Sequence, residues 1–276
     1  MMIGIVGASG LIGYNLFKYV KSKGEEVVGT YFSKEKKELI KFDLQNDDFF
    51  IFDRCKQIII TSAITNIDEC FLNKDQAYKI NVAKTIEFIK YLADRKIKPI
   101  FLSSDQVFDG EKGNYTEEDR PHPINYYGEF KFQVEEFMKN NLENYLILRL
   151  SKTYSRNLEE NSIFAEIFFR LKKREKIKAA YNQIFNPTDI SLVCEGMYKA
   201  INLNLKNLYN LANHMIVSRY DFALSIAKEY GFDKDLIEPI DMHQLPFIEK
   251  RPLNTSLNVK KIKEVISLSK GTARKL

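Results

Sequence analysis

Tyr127 and Lys131 stand four residues apart in Tyr127-Gly128-Glu129-Phe130-Lys131, at the start of a segment with helical period. Spacing i to i+4 puts the phenol and the ammonium on neighbouring parts of one helix face. A phenol with a pKa of about 10 is a poor proton donor or acceptor at neutral pH. A nearby ammonium stabilises the phenolate and moves that pKa toward the working range. Taken alone, the pair describes a packed tyrosine and a solvated lysine equally well, and two other segments give it a chemical setting. Ser103-Ser104-Asp105 ends the strand-like run Lys98–Leu102, and in open α/β sheets ligands bind beyond the carboxyl ends of the strands. Gly7-Ala8-Ser9-Gly10-Leu11-Ile12-Gly13 follows the strand-like Ile3–Val6 and opens a helical pattern. Gly7 permits a tight turn, Gly10 lets backbone approach a pyrophosphate, and Gly13 lets helix and strand pack closely. The helix N-terminus supplies free N–H groups and a partial positive charge for phosphates. The loop therefore predicts dinucleotide binding by Gly7, Ser9, Gly10, Leu11, Ile12 and Gly13.

A site selective for NAD usually carries Asp or Glu after the second strand to hold the ribose hydroxyls. This sequence has Thr30-Tyr31-Phe32-Ser33-Lys34 there. The missing acid favours NADP(H) over NAD(H), with Tyr31, Ser33 and Lys34 beside the 2′-phosphate, although arginine, the usual clamp, is absent.

The elements that must position these residues follow from periodicity. Ile3–Val6, Glu26–Thr30, Gln57–Ser62, Pro99–Ser103 and Tyr145–Leu150 are short and rich in Ile, Val and Leu, the pattern of strands buried on both faces. Ala77, Ile80, Ala83, Ile86, Ile89 and Ala93 mark an amphipathic helix, as do Tyr127, Phe130, Val134, Phe137 and Met138. The alternation predicts an α/β fold, a doubly wound parallel Rossmann sheet with a smaller, helix-rich C-terminal substrate domain. Residues 1–155 are expected to bind the dinucleotide and residues 156–276 mainly the substrate, with one strand near 207–212 returning to the sheet. In the second part Ser162–Leu171, Ser191–Ile201 and Tyr220–Tyr230 read as helices, and Ser269–Leu276, polar and basic, as a frayed end.

With 276 residues, 45% hydrophobic and 29% charged, the composition is that of a folded soluble chain. Cys55, Cys70 and Cys194 are scattered and odd in number, which favours a reducing cytoplasm over a disulfide framework. With His122, His214 and His243 they form no metal-ligand spacing, so no metal is expected. The net charge of +5 is mild, and its densest stretch, Arg170–Lys178, reads as a solvated helix face. Neither nucleic acid nor membrane is an expected partner: no recognisable module accompanies the charge, and no apolar run approaches the roughly 20 residues of a membrane span. The start, Met1-Met2-Ile3-Gly4-Ile5-Val6, lacks the marks of a secretory signal and reads as a first strand.

These segments resemble the extended short-chain dehydrogenase/reductases, and within them the dTDP-4-dehydrorhamnose reductase family, over nearly the whole length. The matches are the glycine loop, Asp43-Leu44, Ser103-Ser104-Asp105-Gln106-Val107-Phe108-Asp109-Gly110, Tyr127 to Lys131, Arg149-Leu150-Ser151, Gln183-Ile184-Phe185-Asn186-Pro187-Thr188 and Arg251-Pro252-Leu253-Asn254. The resemblance implies a catalytic triad of Ser104, Tyr127 and Lys131. It implies Asp43 and Leu44 beside the adenine, Ser62, Ala63 and Ile64 along the cofactor channel, and Asn81 as the family's helix asparagine. Substrate contacts would fall to Ser104, Asp105, Gln106, Lys152, Asn186 and Arg251. The implied chemistry is hydride transfer from NADPH to the C4 ketone of a nucleotide-linked 4-keto-6-deoxy sugar, in a monomer or homodimer. Two alternatives share the motifs: a nucleotide-sugar epimerase with bound NAD, and a non-catalytic NADP-binding subunit like the regulatory subunit of methionine adenosyltransferase. Gln106 and Lys152 stand where the family often has tyrosine and tryptophan, the sequence has no tryptophan, and Thr61-Ser62-Ala63-Ile64 replaces an Asn-x-Ala-Ala run. The catalytic residues match while the sugar pocket departs.

Overall fold

The apolar runs become neighbouring strands of one parallel sheet in the computed structural model, which describes residues 2–267. The strands are β1 (Ile3–Val6), β2 (Val27–Tyr31), β3 (Ile40–Lys41), β4 (Gln57–Ile60), β5 (Lys98–Ser104), β6 (Leu146–Leu150) and β7 (Asn207–Leu211). Their order is β7-β6-β5-β4-β1-β2-β3. The chain winds outward from β1 through β2 and β3, then returns to place β4 on the other side of β1 in parallel register, Val6 opposite Ile60. The topological switch point thus lies between β1 and β4, where the carboxyl ends leave a crevice. The central strands β1, β4, β5 and β6 are buried throughout.

Helices cover both faces. On one, Leu16 and Val20 of α1 (Leu11–Ser22) pack with Val193 and Met197 of a helix from the second half of the chain. On the other, Phe88, Ile89 and Leu92 of α2 (Thr85–Asp94) and Val134 and Met138 of α3 (Tyr126–Asn141) cover Ile58, Ile60 and Ile147. The amphipathic segment expected before Asp94 differs in register. Its turn at Lys79–Lys84 is π-helical, which inserts one residue and rotates the face. Asn81 and Val82 consequently point inward and Ala83 is exposed, although Ala83 is the residue on the expected apolar stripe.

Past β6 the chain first builds a separate lobe. α4 (Ile163–Lys172) and a later helix, Arg219–Tyr230, bury Phe164, Ile167, Phe222 and Ile226 against Ile177, Phe185 and Ile237. Two short strand pairs, Ile177–Ala180 with Ile237–Ile240 and Ile184–Phe185 with Val217–Ser218, tie this lobe together. Between its two parts α5 (Ile190–Asn202) and β7 rejoin the first layer, β7 parallel to β6. The Arg219–Tyr230 helix is α6; its Ser218 and Asp221 form a reciprocal capping box that fixes where Arg219 begins the first turn. Residues Lys172 to Lys176, in the basic stretch, are exposed. No described helix is long and apolar enough to cross a membrane. The basic end, Ser269–Leu276, lies outside the described residues.

Candidate active site

The glycine loop lies at the switch point. Gly7 has φ +81°, a left-handed conformation, and a Cβ there would meet the backbone of Ser62 at 2.7 Å. A Cβ on Gly13 would lie 2.6 Å from the Gly7 carbonyl and 2.8 Å from Thr61 Oγ1. Both glycines are thus demanded by the protein's own packing. Gly10 is different, since the nearest atom to a Cβ there is the Gly7 carbonyl at 3.6 Å. Gly10 is the N-cap of α1 and offers no side chain to the helix N–H groups. Across the crevice Ser62 Oγ is buried without a hydrogen-bond partner among the described residues. Open space at Gly10, uncapped helix donors and an orphaned hydroxyl fit a pyrophosphate-bearing ligand. Gly10→Ala is accordingly expected to weaken dinucleotide binding while leaving the melting temperature near wild type, whereas Gly13→Ala should lower both. Thermal denaturation beside a cofactor titration separates the two, and a melting temperature lowered equally by both substitutions would contradict the distinction.

The remaining cofactor candidates occupy different settings. Tyr31 ends β2, with Ser33 and Lys34 exposed just beyond it. Asp43 folds its carboxylate onto the Gln45 N–H at 2.9 Å and the Asn46 amide at 2.7 Å. Leu44 is a core residue packed with Phe42 and Phe52, so its side chain supports the site from behind rather than lining it. After β4, Ala63 and Ile64 sit in a loop that Asn81 pins: its Oδ1 accepts from the Ile64 N–H at 2.8 Å and its Nδ2 donates to the Ile64 carbonyl at 2.9 Å. The π-turn is what aims Asn81 there.

Tyr127 lies in the first turn of α3, half-buried, with its phenol close enough to Ser104 at the end of β5 to feel its hydroxyl. Asn125 caps this helix by accepting from the Gly128 N–H at 2.9 Å, and a Cβ on Gly128 would collide with the Gln106 carbonyl. The helix start is therefore locked against the β5 loop. Lys131 is buried and donates to the Leu102 carbonyl at 2.8 Å, with its Nζ 5.8 Å from the centre of the Tyr127 ring. Burial lowers the Lys131 ammonium to about 8. The expectation that Lys131 lowers the Tyr127 pKa is not met. Burial first, then the negative charge of Asp105, push the phenol above its ordinary value, and Ser104 opposes them. The ammonium gives one of its three donors to Leu102 and is not among the groups that shift the phenol.

Several expected substrate contacts turn out to hold the site together. Asp105 is buried and accepts from Ser104 Oγ at 3.1 Å, Gln106 Nε2 at 3.2 Å, Ser151 Oγ at 3.0 Å and Thr255 Oγ1 at 2.9 Å. Its burial still holds the carboxyl above the usual range. With both oxygens used, Asp105 organises the cleft and offers no free acceptor. Asn186 is fully buried, donating to the Asn213 carbonyl at 2.7 Å and accepting from the Leu257 N–H at 2.7 Å, so it does not face a ligand. Arg251 is committed to Asp68 at 2.8 Å and to the Glu249 carbonyl at 3.0 Å. Gln106 is half-buried between Asp105 and Asn125, while Lys152 extends, exposed, into the cleft.

The model of the RmlD substrate binding domain matches residues 1–275. The chain belongs to this family. The dTDP-4-dehydrorhamnose reductase of Aggregatibacter actinomycetemcomitans is 31% identical over 286 residues, covering 96% of this chain and 92% of the relative. The crystal structure of a hypothetical dTDP-4-dehydrorhamnose reductase from Sulfolobus tokodaii is 30% identical with a TM-score of 0.88, covering 97% of this chain and 95% of that one. Methionine adenosyltransferase 2 subunit beta of Rattus norvegicus is 25% identical over 280 residues, covering 97% of this chain and 83% of the relative. The family read from the motifs is thus the family found.

Within this RmlD-family chain, sequence reasoning missed the residues that brace the site. Asn125 and the Ser218–Asp221 box carry readable capping signals, a polar residue three positions before the one it binds. Thr255, Arg219 and the buried pair of Glu135 with Arg149 carry no local signal, because their partners lie in distant segments.

Proposed function

We propose that this chain is an NADPH-dependent reductase of the C4 ketone of nucleotide-activated 4-keto sugars, the 4-keto-6-deoxy sugars being the class its relatives' names indicate. The observation that carries the reading is the juxtaposition of Tyr127 and Ser104 at the carboxyl end of β5, with Lys131 and the glycine loop on the same edge of the sheet.

NADPH, when bound, supplies the hydride that adds to the carbonyl carbon. The N-terminal turn of α1 and Ser62 would hold its phosphates, and Lys131 its ribose. Ser33 and Lys34, exposed beyond β2 where a site selective for NAD usually carries its acid, are suited to a 2′-phosphate. Ser104, turning its one hydroxyl proton from Asp105, would donate a hydrogen bond to the carbonyl oxygen as negative charge builds there. Tyr127, kept protonated by its raised pKa, gives its proton to that oxygen. Ketone, hydride and proton together make the alcohol, and the cofactor leaves oxidised.

The test is to mix the protein with NADPH and dTDP- and UDP-linked 4-keto-6-deoxy sugars and follow the absorbance of the reduced cofactor. Stoichiometric cofactor oxidation with formation of the alcohol supports the reading. NADPH binding without turnover of any ketone would favour a regulatory role, and sugar inversion without net cofactor consumption would favour an epimerase.

A further inference from the structure

Two cations converge beside the buried Asp105, and among the described residues no carboxylate forms a hydrogen bond or ion pair with either of them. Lys152 follows Ser151, and its main-chain carbonyl accepts from the Thr188 N–H at 3.1 Å, which fixes where its side chain starts. The Lys152 ammonium makes no hydrogen bond or ion pair among the described residues. Arg219 opens α6, its N–H bound to the Gln183 carbonyl at 3.0 Å, and its guanidinium lies 4.1 Å over the Phe185 ring. Arg219 Nη1 is buried with no hydrogen-bond partner among the described residues.

The charges that face these two groups are few. Asp105 attracts both, but its oxygens already accept from four neutral donors and neither cation bonds to it. Glu166 on α4 is exposed and acts on both cations only at longer range. Arg251 adds repulsion toward Lys152, although Asp68 already pairs with it. The neighbouring guanidinium opposes the charge of Lys152. Like charges brought together in a partly dehydrated cleft are unfavourable unless an anion joins them.

We propose that Lys152 and Arg219 together bind a carboxylate carried by the sugar ring next to the reacting ketone. The position follows from a chain of contacts: Tyr127 to Ser104, Ser104 to Asp105, Asp105 to Ser151, and Ser151 to its neighbour Lys152. In a hexose the substituent on C5 adjoins C4, whereas the diphosphate on C1 lies across the ring. A cation on this side of the cleft faces the substituents of C3 and C5, and of these only the C5 substituent can be a carboxylate in a uronate. A methyl there leaves both cations unpaired, while a carboxylate accepts from guanidinium and ammonium at once. The inference rests on the reductase reading only for setting the ketone beside Tyr127; it deepens that reading by naming an acidic sugar, a nucleotide-linked uronate, as the preferred class.

The experiment is a calorimetric titration of the NADP-saturated protein with UDP-glucuronic acid and with UDP-6-deoxyglucose, which differ only at C6, repeated with the dTDP esters. The wild type should bind the uronate about tenfold or more tightly over the 6-deoxy ester, the gain of one charge-assisted contact. Lys152→Met should erase that preference by weakening the uronate alone, and Arg219→Gln should act in the same direction. Equal binding of the two esters by wild type overturns the proposal, as does failure to bind any of the four. Equal weakening of both esters in Lys152→Met also overturns it and assigns the cations to the diphosphate. A uronate preference in a protein that reduces no ketone would sink the reductase reading and leave the anion site standing. Reduction of a neutral 4-keto sugar with no binding preference would do the reverse.

Discussion

Tyr127→Phe is expected to lower kcat for ketone reduction by about 10²- to 10⁴-fold, the span of a positioned proton donor. Affinity for NADPH and thermal stability should stay near wild type. Phenylalanine keeps the half-buried ring in its place in α3, and only the hydroxyl, close to Ser104, is lost. The direction of the pKa shift adds a second readout. Burial and the Asp105 charge raise the phenol, so it stays protonated through neutral pH and into the alkaline range. Ketone reduction, which consumes that proton, should hold its rate as pH rises from neutrality. Alcohol oxidation, which needs the phenolate, should be slow at neutral pH and climb as pH rises toward the phenol pKa. Initial rates in both directions across pH test this, and Tyr127→Phe should flatten the climb. An unchanged kcat in Tyr127→Phe would remove the residue from the mechanism.

Arg149→Met should cost about 3–5 kcal/mol of folding stability, the range for removing one partner of a buried ion pair. Arg149 and Glu135 are both fully buried and joined twice, Nε to Oε1 at 2.9 Å and Nη2 to Oε2 at 2.6 Å. Ser103 Oγ donates to the same carboxylate at 2.5 Å. One carboxylate thus ties α3, which carries Tyr127 and Lys131, to β6 and to the end of β5, which carries Ser104. Leaving Glu135 buried with only Lys139, at 3.6 Å, and the Ser103 hydroxyl against its charge is the expensive outcome, because no water replaces the guanidinium. The double variant Glu135→Leu, Arg149→Met should recover a large part of the loss, since it removes both charges together. Urea denaturation of the two variants measures this. Equal losses in single and double variants would mean that side-chain packing, and not the charge pair, anchors the helix. A fall in kcat with an unchanged cofactor affinity should accompany Arg149→Met, as Tyr127 and Ser104 lose their common brace.

What was legible in the sequence was what depends on neighbours along the chain. Ile3–Val6 followed by Gly7, Gly10 and Gly13 reads as strand, turn and helix because each requirement is local: apolar burial, a left-handed turn, a close approach. The spacing of Tyr127 and Lys131 gave their shared helix, and the end of the Lys98–Leu102 run gave Ser104 its place at a strand terminus. Periodicity assumed a regular helix through Ala83, and the π-turn defeated it by a single residue. That residue put Asn81, which fixes the Ile64 loop, on the inner face.

What only the tertiary structure decided was which polar groups are spent and which are left over. Asp105, Asn186 and Arg251 stand in motifs that suggest ligand contact. Partners from distant segments, Thr255, Leu257 and Asp68, consume them. Arg219 has no motif, yet among the described residues it ends with a buried nitrogen unpaired, in the electrostatic reach of Lys152. A sequence states the hydrogen-bonding capacity of each side chain, but the balance of donors and acceptors in a cleft is a property of the folded surroundings. The family and the pairing of Tyr127 with Lys131 on one helix therefore follow from local order, and the charge of the cleft around Asp105 from long-range packing.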